Sequence, residues 1–156
     1  MGTTFVNVGE NGFWLRDSLL ELWLRLAALH IEDPVESGSL ATTIRDQWLI
    51  ASRGYFQGCV PIDLDEDLST DEGKRLVTGA IKSLQKILAH SPEKLDGRAF
   101  NLLGIEGTFT GDIETWRLIE VGQAMLDLID GKIKTTARDD SKMPGYGEKP
   151  RPRPAS

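Results

Sequence analysis

From Phe13 to Ile31 apolar residues recur at helical spacing, with Leu15, Leu19, Leu22, Trp23, Leu26 and Leu29 covering most of a helix circumference. Asp17, Ser18, Glu21 and Arg25 close the remaining polar wedge, about a quarter of a turn. An apolar arc this wide needs neighbours on several sides. The spacing therefore predicts a central helix, capped by Asn11 and running to about His30. A short extended arm over Thr3–Val8 precedes it.

A second helix is predicted from a Ser39 cap to about Arg53, because Ile44, Trp48, Ala51 and Tyr55 share one face. Gly54, Gly58 and Pro61 end it. The third begins at Ser69, where Glu72 completes a capping box. It continues to about His90, burying Val77, Ala80, Ile81, Leu84 and Leu88 and turning Lys74, Lys82 and Lys86 to solvent. Residues 91–111 are rich in glycine yet carry Phe100, Leu102, Leu103, Ile105 and Phe109, which predicts a packed loop. A last helix is predicted from Asp112 to Gly131, a natural C-terminal stop. Beyond it four of the seven prolines fall between Pro144 and Pro154, and apolar residues nearly vanish. The expected architecture is all-α: a compact bundle of four to five helices with a central apolar first helix and a Gly-rich packed loop. It forms a single helical domain over residues 1–133, followed by a disordered Pro/Arg/Lys-rich tail over 134–156.

Composition narrows the function more than the fold. A chain of 156 residues, 40% hydrophobic and 27% charged, suits one soluble domain with its own core. The apolar stretch is interrupted by Arg16, Asp17, Glu21, Arg25 and His30, which argues against a membrane span. The N-terminus lacks the features of a secretory signal. A cytoplasmic location is therefore expected, and the single cysteine, Cys59, precludes an intramolecular disulfide. The net charge of −6 is uneven, with 11 Lys/Arg against 21 Asp/Glu in residues 1–131 and 7 against 3 in residues 132–156. An acidic body does not suit duplex nucleic acid, whose affinity comes from neutralised phosphates. It suits a basic protein partner.

Asp63-x-Asp65-x-Asp67, with Glu66, Asp71 and Glu72 beside it, imitates the first half of a calcium loop. Leu68 stands where that loop needs glycine and Lys74 where it needs glutamate, so no metal is assigned. These acids complement the dipole of the helix that follows, or form a patch for a basic partner. Gly104–Gly111 lacks the Lys-Ser/Thr pair of a phosphate loop, and no cofactor is expected. Cys59, His30 and His90 would form a catalytic pair only if the fold brought them together. Arg16 falls inside the apolar arc of the first helix, and so either pairs with a carboxylate or opens onto a groove. Trp14 projects beside Asp17 and Glu21. Trp116, Glu120, Gln123 and Asp127 share a face opposite Leu118, Val121 and Met125. An aromatic beside carboxylates is a common composition for a binding hot spot. The expected partner surface is Trp14, Asp17, Glu21, Asp63, Asp65, Glu66, Asp67, Trp116, Glu120 and Asp127.

Two function classes follow. The first is a non-catalytic acidic protein that recognises and neutralises a basic partner. In size, charge and lack of motifs the chain resembles bacterial immunity proteins, a resemblance that implies a cognate toxin as partner. The second rests on Arg25-Leu-Ala-Ala-Leu-His30, which resembles the arginine–histidine motif of HEPN-domain ribonucleases. That resemblance implies RNA cleavage by Arg25 and His30 at a homodimer interface. It departs from the family pattern at Leu26, where a polar residue often stands, and in its place on the first long helix.

Overall fold

A β-hairpin opens the chain where the spacing predicted an arm and a helix. The computed structural model describes residues 2–31, 39–102 and 109–151. Strand β1, Thr3–Val8, pairs antiparallel with β2, Asn11–Arg16, with Val8 opposite Asn11. Gly9 and Glu10 make the turn, and Gly9 takes a φ of 59°, the positive value that a tight hairpin turn needs at its first central position. Thr4 and Val6 face inward opposite Leu15 and Phe13, while Phe5 and Trp14 meet on the other face with ring centroids 5.3 Å apart. Burial alternates over Phe13–Arg16, but in the sequence three successive apolar residues and an arginine fit a helical face as well as a strand. Pairing with β1 decides between them.

Helix α1 therefore starts late, at Asp17, and runs to Ala28. It packs against helices α2, Leu40–Ala51, α4, Asp71–Ala89, and α6, Thr115–Ile129, and so keeps its central position. Between α2 and α4 a single turn, α3, spans Leu64–Asp67. The α2 cap is Ser39, whose hydroxyl accepts from the Thr42 amide at 3.2 Å. The α4 cap is Thr70, not Ser69, and its hydroxyl accepts from Gly73 at 3.0 Å. Ser69 is still engaged by α3, its amide donating to Glu66 at 3.1 Å, so Thr70 is the first residue free to cap.

Residues 91–111 are more regular than their glycines suggested. Strand β3, Lys94–Leu95, pairs with β4, Ile113–Glu114, and a short helix α5, Gly97–Phe100, lies between them. Asn101 brackets Phe109, donating to its carbonyl at 3.1 Å and accepting from its amide at 2.7 Å. Most of the Gly104–Gly111 loop lies outside the described residues. The all-α expectation is overturned: the described residues are 48% helical, in six helices, with two small antiparallel two-stranded sheets. The first sheet forms at a tight turn, and the second pairs two-residue strands across the α5 segment, too short for periodicity to reveal.

One core joins these elements. Trp23 and Trp48 are fully buried in it, their rings 5.9 Å apart, in one cluster with Phe13, Leu15, Val77, Ile81, Leu118 and Met125. Past α6 the described chain to Arg151 has no helix or strand, but it is not without partners. The Gly12 amide donates to the Thr135 carbonyl at 2.8 Å, and the Thr135 hydroxyl donates to the Gly12 carbonyl at 2.7 Å. The Trp14 indole donates to the Ala137 carbonyl at 3.2 Å. Pro144 and Gly145 are buried against the body. Where the sequence predicted a disordered tail over 134–156, the described residues 135–145 make these contacts, largely through backbone groups that leave little trace in composition; residues 152–156 lie outside the described residues.

Candidate functional site

The ten acids and tryptophans expected on a partner surface separate into three groups. Asp17, Glu21 and Asp67 are buried. Asp17 begins α1 and ties three segments together, accepting from the Thr4 hydroxyl at 2.7 Å and from the Gly58 amide at 2.6 Å while its own amide donates to Gly2. Asp67 accepts from the Trp48 indole at 3.0 Å. No described residue donates a hydrogen bond to Glu21, and burial, helped by nearby Asp17, pushes its carboxyl up to about 7. The polar wedge read as solvent-facing is thus covered over its first turn by β1 and the Gly58 segment.

A second group is engaged by neighbouring chain. Trp14 is half-buried between Phe5 and Ala137. Glu120 accepts from the Gly145 amide at 3.0 Å, and Asp127 from Gln123 at 3.0 Å. The Trp116 indole donates to Glu114 at 2.9 Å, and the Arg117 guanidinium lies 4.6 Å over its ring. That indole first, then Arg117, holds the Glu114 carboxyl below its usual range.

The third group remains exposed. Asp63, Asp65 and Glu66 sit on and around α3. Asp63 caps α3 by accepting from the Glu66 amide at 3.1 Å, and Asp65 accepts from the Gly9 amide at 2.8 Å. The Asp65 bond draws the hairpin turn, with exposed Glu10, against α3, and exposed Asp71 and Glu72 follow at the start of α4. Six carboxylates therefore share one edge, and among the described residues no Lys or Arg lies within ion-pair distance of any of them. The calcium-like spacing does not converge: Asp63, Asp65 and Asp67 each turn to a different donor. Among the described residues no group of three His, Cys, Asp or Glu side chains is arranged to hold a metal.

The Arg25 and His30 pair engages different elements. The Arg25 guanidinium is half-buried, and its proton affinity is lowered by that burial and by Arg53 beyond α2. His30 lies past the end of α1 and its Nδ1 is 2.9 Å from the Ser83 hydroxyl on α4. Cys59 is exposed, with its amide bonded to the Phe56 carbonyl.

Arg16, placed by the helical reading in the apolar arc, instead ends β2 on the outside. It borders a cleft of about 490 Å³ lined by Leu19, Leu22, Ile113 and Arg117 and closed on one side by Gly145–Gly147. Its guanidinium stacks 4.8 Å over the Tyr146 ring. Sequence reasoning singled out neither Arg117 nor Tyr146. Tyr146 did carry a signal: it is the sole aromatic residue after Gly131, and it stands between two glycines.

No known protein family matches the chain, and neither the curated proteins nor the solved structures include one significantly similar to it. No helix among the described residues is long and apolar enough to cross a membrane.

Proposed function

We propose that this is a non-catalytic binding protein that recognises a basic protein partner through the acidic edge of the hairpin turn, α3 and the start of α4. The observation that carries the reading is the exposure of Glu10, Asp63, Asp65, Glu66, Asp71 and Glu72, none of which forms an ion pair among the described residues, although Lys74 and Arg75 follow on α4. Clustered like charges cost self-repulsion in the free protein, and a basic partner relieves it. Such a field speeds encounter and rejects acidic competitors. The edge is also held rigidly, because Asp63 caps α3 and Asp65 anchors the turn. The immunity-protein resemblance is one of size and charge, and no matched protein supports narrowing the partner to a toxin.

The test reverses charge where no fold contact is lost. Glu66→Lys with Glu72→Lys spares the Asp63 and Asp65 bonds. With a purified basic partner, association should slow by about tenfold at low salt, and the difference should shrink as salt rises. A partner that proves acidic, or an association rate indifferent to both substitutions, overturns the reading.

A further inference from the structure

The cleft beside Arg16 differs in chemistry from the acidic edge. Its floor is apolar, formed by Leu19 and Leu22 of α1 with Ile113 of β4, and its volume of about 490 Å³ falls in the range that small ligands occupy. Two guanidinium groups border it, and they are not equivalent. Arg117 is already committed: it donates to Glu114 at 2.9 and 3.3 Å and to the Gly145 carbonyl at 2.7 Å. Arg16 has no carboxylate within ion-pair distance among the described residues, and its one recorded partner is the Tyr146 ring.

We propose that this cleft binds a small amphipathic molecule with an apolar body and a single carboxylate, the carboxylate held by Arg16. A guanidinium stacked on an aromatic face keeps its N–H edge free, and that planar fork matches a carboxylate with two parallel hydrogen bonds. Stacking also restricts the side chain beforehand, so less freedom is lost when the ligand arrives. The head carries one negative charge and no more, because Asp112 and Glu114 line the same cleft with carboxylates of their own, Glu114 already paired with Arg117. Tyr146 sits between Gly145 at φ 71° and Gly147 at φ 83°, backbone values that glycine adopts readily. Those two residues let the chain turn sharply enough to bring the ring onto Arg16, and so set the width of the mouth.

The probe is decanoate, kept below its micelle threshold and titrated into the full chain by calorimetry, with the Arg16 Nε–H resonance followed in parallel. Decanol tests the charge and decyl phosphate tests a second negative charge. Saturable binding of decanoate with a Kd below about 1 mM is expected, together with a shift of the Arg16 resonance. Decanol and decyl phosphate should each bind several-fold more weakly. Arg16→Gln should weaken decanoate about tenfold and leave decanol unchanged. Ser18→Phe, which fills the cleft from an exposed position on α1, should abolish binding of all three. Decanoate binding weaker than about 1 mM overturns the proposal. So does equal affinity for decanol, or binding that survives both substitutions.

Discussion

The Trp48 indole donates its N–H to the Asp67 carboxylate at 3.0 Å, at a point where neither residue meets solvent. A carboxylate that the sequence offered as bait for a partner is thus a tie between α2 and α3. Burial pushes the Asp67 carboxyl above its ordinary range, while the indole pulls it back. Removing the donor leaves a buried acceptor unpaired, a loss larger than that of the bond itself. In a double-mutant cycle of Trp48→Phe and Asp67→Leu, a coupling energy of about 1–3 kcal/mol is expected. Urea unfolding of the four proteins measures it, and additive losses would show that the bond contributes nothing.

Glu21 makes stability depend on pH. Its carboxyl is raised to about 7, so the folded protein holds a proton that the unfolded chain releases near 4.5. Stability from this group is intact below the unfolded value, falls as pH rises between the two, and stays low above the folded value. Glu21→Gln removes that decline. The variant should be more stable than the parent at pH 8, by on the order of 3 kcal/mol at most, and the gap should close by about pH 4.5. Denaturation midpoints across this range that run parallel for the two proteins would count against it.

Two glycines of α4 should respond to alanine with opposite signs. A Cβ on Gly73 would sit 2.1 Å from the backbone carbonyl oxygen of Asp67, so α3 would have to move. Gly79 has nothing within 4 Å of that position. Gly73→Ala should cost roughly 1–3 kcal/mol, and Gly79→Ala should gain about 0.5–1 kcal/mol from helix propensity. Guanidinium unfolding of each variant decides it; equal effects would mean that α3 is free to yield.

Deleting residues 134–156 should destabilise the body. The deletion removes the Thr135 bonds to Gly12, the Ala137 acceptor of Trp14, and the Gly145 bonds to Arg117 and Glu120. At roughly 1 kcal/mol net for each hydrogen bond, a loss of about 2–5 kcal/mol is expected. Trp14 fluorescence should shift to the red as its indole meets water. An unchanged melting temperature would show that these contacts are incidental.

These contacts also explain what the sequence could and could not reveal. Helix α2 was legible from its local Ser39 cap, and α4 from an apolar stripe long enough to exclude other periods, although its cap is Thr70, one residue past Ser69. The hairpin was not, since Phe13–Arg16 is too short to separate two periods and its partner strand was read as an arm. The docked segment was illegible for another reason: Thr135, Ala137 and Gly145 bind through carbonyls and amides that every residue has. At the candidate site, charge was taken as a sign of exposure. That inference holds for Asp63, Asp65 and Glu66 and fails for Asp17 and Asp67, which the fold buries against donors, and for Glu21, which is buried without a donor and holds its proton instead.

The bonds between Gly12 and Thr135 also set a clock. Their partners are 123 residues apart. A ribosome adding ~5–20 residues per second therefore needs on the order of ten seconds to deliver the second after the first. A hairpin closes within microseconds. For nearly all of that interval β2 exists with its outer amide and carbonyl at Gly12 unpaired, an edge onto which another nascent strand can add. A slower arrival of Thr135 leaves that edge of any hairpin already formed open for longer.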